Sequence, residues 1–389
     1  MAPEHAETIS SRSKNRVTSG TVDASPAKTG DPALDLLQVL GEDGRADPAH
    51  DPFLAPETLL AMYREMRRLR ALDAALVALQ RQGRIGFYGA SLGQEAVPIA
   101  TAFAIEPTDL VFPALRESAV MLVRGFPLER YLAQVFGTAD DVLKGRQMPS
   151  HMSSRAVNVV AWSSTVATQL PQAVGAAWAA RKAGARSVTV GFVGEGGTSS
   201  SDFHAAANFA GVFRAPCIMI CQNNAWALST PASRQTASAT FAVKAKAYGM
   251  PGVRIDGNDA LAIYRTVAEA RVRAVAGAGP TLIECVTYRM GPHSTSDDPD
   301  LYRSDAAVDE WKHRDPIARL RRHLEYLGII DGVLDERLGA EIDAEVRGAI
   351  SVAETKGPPD CDTMFDDVYA ERTWNLVEEA KEAERVRRR

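Results

Sequence analysis

Two short stretches place a carboxylate and an amide where a sheet of parallel strands binds ligands. The run from Ser187 to Val193 is apolar and β-branched and reads as a strand. It leads into Gly194-Glu195-Gly196-Gly197, then Thr198, Ser199, Ser200, Ser201 and Asp202, any of which can cap a following helix. Glycines at such a turn let backbone amides approach a phosphate. The next apolar run, Cys217 to Cys221, ends at Gln222-Asn223-Asn224. Glu195 and Asn224 therefore each stand just past the carboxyl end of a strand, where open α/β sheets bind their ligands. Magnesium takes hard oxygen ligands and usually keeps phosphate oxygens and water in its shell, so one carboxylate, one amide oxygen and one backbone carbonyl suffice. Glu195, Asn224 and the carbonyl of Trp226 supply that set. The glycine spacing does not fit Gly-x-Gly-x-x-Gly, which disfavours a dinucleotide turn.

The elements that must hold these groups follow from periodicity. From Pro56 to about Gln82, apolar residues recur at three- and four-residue steps, and Gly83 ends the resulting amphipathic helix. Helices are expected over Leu170 to Ala183 and Asp202 to Val212, alternating with the two strands. This order predicts an α/β fold with a parallel sheet and crossover helices. The helix from Leu170 is rich in Ala and Gly, which suits either tight core packing or a subunit contact. Beyond Asp315 the pattern is helical only, through Leu320, Leu324 and Leu327 and again from Ile342 to Ala353. The expected division is a poorly ordered leader over residues 1–52, an α/β domain over 53–315 and a helical C-terminal extension over 316–389.

Composition bounds the function. The 389 residues are 46% hydrophobic and 24% charged, with a formal net charge of -5, which argues against a broad basic surface for nucleic acid. No run approaches the roughly 18 apolar residues of a membrane span. Cys217, Cys221, Cys285 and Cys361 lack the paired spacings of a zinc site and read as ordinary thiols of a reducing compartment. Arg12, Lys14 and Arg16 hint at a transit peptide, but Glu4, Glu7, Asp23 and Asp31 dilute it, so the cytoplasm is expected, or the mitochondrial matrix in a eukaryote.

With Glu195 in the aspartate position of Gly-Asp-Gly and an Asn-Asn pair one strand later, the sequence resembles the thiamine diphosphate enzymes. It is similar, from about Pro56 to Ser304, to alpha subunits of 2-oxo acid dehydrogenase complexes. The resemblance is carried by Gly86-Phe87-Tyr88 with Gly93-Gln94-Glu95, by Lys144 to Pro149, by Thr168 to Gly175, and by Tyr288-Arg289 with His293 to Asp298. Gly-Glu-Gly at Glu195, the run Arg254 to Asp259 and the pair Asp297-Asp298 look more like the branched-chain type than the pyruvate type. The fold implied is the thiamine diphosphate-binding fold.

The resemblance implies a role for each matching position. Arg116 would hold the diphosphate, since a guanidinium donates paired charge-assisted hydrogen bonds. Gly194, Gly196, Gly197 and Gln222 would lie along the cofactor, Ser164 and Val166 beside its pyrimidine, and Glu195, Asn224 and Trp226 around Mg2+. Ser163, Thr168 and Gln169 match a K+-binding turn. His293 would stand beside the thiazolium and move a proton during transfer to the lipoyl group, work that suits a pKa near neutrality. Phe87 and Val166 would line the acyl pocket. Ser294 and Ser304 match serines that kinases modify in mitochondrial relatives, although both also suit turn caps. Leu115 replaces an aromatic hydroxyl, Gln222 replaces a second arginine, and Pro292 stiffens the loop before His293.

The activity implied is decarboxylation of a small-molecule 2-oxo acid with acyl transfer to a lipoyl-bearing acyltransferase. A carboxylate needed beside the pyrimidine comes, in such enzymes, from a beta subunit, which implies a two-alpha, two-beta assembly and an inactive isolated chain. Two other readings stay open at this level: a pyruvate or acetoin dehydrogenase alpha subunit, and a noncatalytic partner in which Leu115 and Gln222 have weakened cofactor binding.

Overall fold

The computed structural model describes residues 28–387. Its strands are β1 (Leu36–Leu37), β2 (Leu110–Phe112), β3 (Thr189–Gly194), β4 (Cys217–Asn223), β5 (Trp226–Ala227), β6 (Thr230–Pro231), β7 (Gly252–Asp256) and β8 (Thr281–Val286). Its helices are α1 (Pro56–Arg81), α2 (Ala96–Ala104), α3 (Ala119–Val123), α4 (Leu128–Phe136), α5 (Gln169–Lys182), α6 (Ser201–Val212), α7 (Ala260–Val275), α8 (Asp305–Lys312), α9 (Pro316–Tyr326), α10 (Gly332–Glu354) and α11 (Trp374–Arg387). Among the described residues no helix is long and apolar enough to cross a membrane.

Six strands form one parallel sheet in the order β1-β7-β8-β4-β3-β2, and β5 and β6 make a separate hairpin. The central strands are apolar without interruption because both faces are covered. In β3 and β4, Val190, Phe192, Ile218 and Ile220 point into the layer built on α1, α2 and α7. Their neighbours Val193, Cys217, Met219 and Cys221 point into the layer of α5 and α6. This period-two division is the pleat at work. At Gly191 an added Cβ would stand 2.9 Å from Leu170 Cδ2, so the missing side chain is what lets α5 lie so close to the sheet. Burial pushes the Cys217 thiol up to about 11, in keeping with an inert core thiol.

The expected helical extension docks on the domain. Ile317, Leu320, Leu324, Leu338, Ile342 and Val346 share one hydrophobic core with Leu69, Leu72 and Leu76 of α1. Arg70 of α1 pairs with both Glu95, at 2.7 Å, and Asp315 at the start of α9, at 2.6 Å. Helix α11 buries none of its residues.

The expectation of a poorly ordered leader up to residue 52 is corrected over residues 28–52, while its first 27 residues, with Arg12, Lys14 and Arg16, lie outside the described residues. Strand β1 pairs in parallel with β7 at the sheet edge, and Leu40 is fully buried. The buried carboxylate of Asp259 accepts from the N–H groups of Val39 and Leu40, both at 2.6 Å, and from Leu261 and Ala262 at the start of α7, both at 3.0 Å. A segment this short has no local period to read, because its partners come from the far end of the domain. Asp259→Ala strands those donors and removes a helix cap. It should lower stability by about 2 to 4 kcal/mol in urea unfolding and open the 28–40 segment to protease first. An unchanged cleavage rate in that segment would show that it docks without Asp259.

Candidate functional site

The turn after β3 is one turn of 3-10 helix, Glu195–Ser199, and Ser200 caps α6 by accepting from Phe203 N at 3.2 Å. Two glycines make that turn fit. A Cβ at Gly196 would come within 2.4 Å of Ala227 Cβ, and one at Gly197 within 2.4 Å of Val193 Cγ2. Since β3 and β4 are hydrogen-bonded neighbours, Gly194 lies opposite Gln222, and Glu195 is brought beside Asn224. Oε2 of Glu195 accepts from Asn224 N at 3.4 Å, whereas Oε1 is buried with no partner. Burial pushes this carboxyl up to about 6, against the pull of the Asn224 amide, Arg289 and Arg116. A left-handed Ala225, φ +71°, turns the chain so that Trp226 N donates to Asn224 Oδ1 at 3.2 Å.

These groups line a cavity of about 600 Å³. It also gathers Phe87, Arg116, Ser163, Ser164, Val166 and Gln169, the turn Gly194 to Gly197, Gln222, Trp226 and His293. Thr168, Ser294 and Ser304 stand outside its wall. The wall suits a cation and an anion together. Besides Glu195 Oε1, the side-chain oxygens of Gln169 and Gln222 are buried without partners, and all three are hard ligands. The Trp226 carbonyl accepts from Arg289 at 3.1 Å and keeps a second lone pair.

Arg116 supplies the positive side. It is buried, and its guanidinium donates to the carbonyls of Ala90, at 2.9 Å, and His293. Burial, then the like charge of Arg289, lowers it to about 10, as expected of a buried cation without a full counter-charge. Arg289 places its Nη1 at 3.5 Å from His293 Nδ1. Burial first, then Arg116 and Arg289, push the imidazole down to about 3, below the near-neutral range that suits proton transfer. The loop carrying it is laced internally. Asp297 accepts from His293 N and from Tyr302 OH, both at 2.6 Å, and Tyr302 OH accepts from Arg289 at 2.7 Å. Ser294 is buried and accepts from Ser296 N at 3.3 Å, and Ser304 stands half-buried before α8.

On the opposite wall, Ser164 is held by His151, whose Nε2 lies 2.8 Å from its hydroxyl and whose ring stacks on Trp162 with centroids 3.7 Å apart. Ser163 Oγ accepts from Thr165 N at 3.2 Å, and Thr168 Oγ1 donates to Thr165 O at 2.9 Å, which closes the turn before α5. Val166 is 60% exposed at the mouth. Arg289 and His151 are the residues that sequence reasoning passed over. Arg289 stood within a quoted motif, but its contacts to Trp226, Leu228 and Tyr302 are made across the fold.

The family described as dehydrogenase E1 component matches residues 63–362. The chain is 43% identical over 340 residues to the 2-oxoisovalerate dehydrogenase subunit alpha, mitochondrial, of Bos taurus, covering 87% of this chain and 75% of that protein. It is 44% identical over 348 residues to subunit alpha 1 of that mitochondrial dehydrogenase in Arabidopsis thaliana, covering 89% and 74%. The Homo sapiens mitochondrial subunit alpha is similar at 42% identity over 340 residues, covering 87% and 76%.

Proposed function

Because this chain belongs to the dehydrogenase E1 component family, we propose that it is the alpha subunit of a branched-chain 2-oxo acid dehydrogenase of the 3-methyl-2-oxobutanoate type. The observation that carries the reading is the buried, unpartnered Glu195 Oε1 beside Asn224, in a cavity that also holds a buried Arg116. The family depends on thiamine diphosphate, which when bound supplies the electron sink for decarboxylating a 2-oxo acid.

This chain's residues bind and orient. Arg116 and the turn Gly194 to Gly197, which line the same cavity, would hold the diphosphate. Glu195, Asn224 and the Trp226 carbonyl hold Mg2+, and Ser163, Thr168 and Gln169 a K+. Ser164 and Val166 would lie beside the pyrimidine. Phe87 and Val166 border the acyl group, and His293 holds a proton at the transfer step. Gln222 offers an amide where a cation would bind more strongly, and Leu115 offers no hydrogen bond, so this chain grips its cofactor with fewer charges. A beta subunit completes the site in a two-alpha, two-beta assembly, and a lipoyl-bearing acyltransferase receives the product. The relatives are named as mitochondrial proteins; this chain works in the matrix if its source is eukaryotic and in the cytoplasm otherwise.

The test is the purified alpha-beta assembly given 3-methyl-2-oxobutanoate or pyruvate. An apolar pocket distinguishes each added methyl by roughly 10-fold or more, so kcat/KM should favour the branched acid by at least about that factor. Equal values, or a preference for pyruvate, would place the chain with the pyruvate or acetoin type. The chain without its beta partner should be inactive with both.

A further inference from the structure

The amides of Gln94, Gln222 and Asn224 form one connected set of hydrogen bonds in the cavity wall, and its direction is imposed from one end. Trp226 donates its backbone N–H to Asn224 Oδ1 at 3.2 Å, and a backbone N–H has no acceptor role to exchange. Oδ1 is thereby kept on the Trp226 side. Nδ2 faces the other way and donates to Gln94 Oε1 at 2.8 Å. The same oxygen accepts from Gln222 Nε2 at 2.9 Å, so both of its lone pairs are used. Turning Gln94 over would set its NH2 against two others, and turning Asn224 over as well would set an NH2 against the Trp226 N–H. One arrangement of the three amides satisfies the backbone donor.

The backbone on either side of Gln94 is pinned, while its own Nε2 is buried without a partner. The residue is fully buried between Gly93 and Glu95. Glu95 accepts from Gly93 N at 3.0 Å and from Arg70 at 2.7 Å, and Thr287 Oγ1 donates to the Gly93 carbonyl at 3.0 Å. At Gly93, with φ +88°, a Cβ would meet Tyr288 O at 2.8 Å, so no other residue fits this close approach. The Trp226 N–H and Gln94 Oε1 therefore hold the Asn224 amide from its two ends.

We propose that Gln94 is a positioning residue of the cation site: its Oε1 holds the Asn224 NH2 and so, together with the Trp226 N–H, keeps Asn224 Oδ1 turned away from Gln94 and toward Trp226. The inference rests on the reading of Glu195 and Asn224 as magnesium ligands. Second-layer partners of this kind, when removed, weaken metal binding by about 10- to 100-fold.

The test is Mg2+ titration by calorimetry of the alpha-beta assembly with thiamine diphosphate present. Gln94→Met keeps the length and removes the acceptor, and should raise the Mg2+ midpoint about tenfold or more. Gln94→Glu accepts the same two N–H bonds, and should hold the midpoint within about threefold of the parent. In an Asn224→Asp background, whose carboxylate has two equivalent oxygens, Gln94→Met should cost less than about threefold. A parent-like midpoint in Gln94→Met, or equal losses in both Gln94 variants, overturns the proposal. Should Gln94→Met fail to assemble, Gln94→Ser, which removes the acceptor and leaves room for water, is measured instead under the same criteria. Glu195→Gln is the control: if it keeps Mg2+ affinity, the ligand assignment fails, and if it loses that affinity while Gln94→Met does not, only the role of Gln94 fails.

Discussion

Glu195→Gln in the alpha-beta assembly is expected to lower decarboxylation of the 2-oxo acid by roughly 10³-fold or more at Mg2+ levels that saturate the parent. The amide matches the carboxylate in shape and can still accept from Asn224 N, but it lacks the charge and sets an NH2 donor in place of the second oxygen. A divalent cation needs both the charge and the hard oxygen here, since Glu195 is the one carboxylate of the proposed ligand set. The metal-free protein should respond differently. Burial lifts the Glu195 carboxyl to about 6, above its ordinary value of 4.5. For an acid raised on folding, the folded state holds its proton longer, so the contribution to stability falls as pH rises from 4.5 through about 6. Above that range the parent carries a buried, uncompensated carboxylate that the variant lacks. Urea midpoints without metal at pH 8 should therefore not fall in Glu195→Gln, while the stabilisation by Mg2+ with thiamine diphosphate should disappear. A variant that is still stabilised by the pair would remove Glu195 from the ligand set.

What could be read along the chain and what could not divides by the range of the interactions. Strands β3 and β4 are legible because burial on both faces makes them continuous apolar runs, each closed by Gly or Asn. Helix α1 is legible because only one face is buried, which leaves a three- and four-residue period over seven turns. Helix α2, Ala-Val-Pro-Ile-Ala-Thr-Ala-Phe-Ala, is buried nearly all round and has no polar face to set a period. Strand β1 owes its existence to β7 and to Asp259, both remote in sequence. The site divides in the same way. Glu195 and Asn224 are marked by position at strand ends, which is a local property. The hold of Arg289 on Trp226 and Leu228 and the link from Gln94 to Asn224 depend on groups meeting across the fold. The low pKa of His293 is illegible for the same reason, since it comes from burial first and then from Arg116, which reaches its loop from another part of the chain.

His293→Gln should reduce acyl transfer to the lipoyl acceptor by about 10²- to 10⁴-fold, the usual contribution of a positioned acid or base. Arg289 can only donate, so a proton on the Nδ1 that faces it at 3.5 Å would be opposed, which favours the neutral ring with its proton on Nε2. In the chain without ligand, burial and two guanidinium groups hold the imidazole at about 3, which is unsuited to taking up a proton near neutral pH. A diphosphate against Arg116 would offset part of that positive field and raise the ring toward the working range, so cofactor and histidine are coupled through charge. The free chain offers a direct check on the starting point. For a base depressed on folding, the unfolded chain takes a proton below pH 6.5 that the folded chain refuses. The His293 contribution is thus full above 6.5 and is lost as pH falls toward 3. The difference in unfolding free energy between the parent and His293→Gln should accordingly shrink on acidification across that window. NMR of the ring should show an upward pKa shift when thiamine diphosphate and Mg2+ are added to the assembly. A pH-independent difference, together with a ring that titrates near 6.5 in both states, would mean that the arginines do not set its charge and that the coupling is absent.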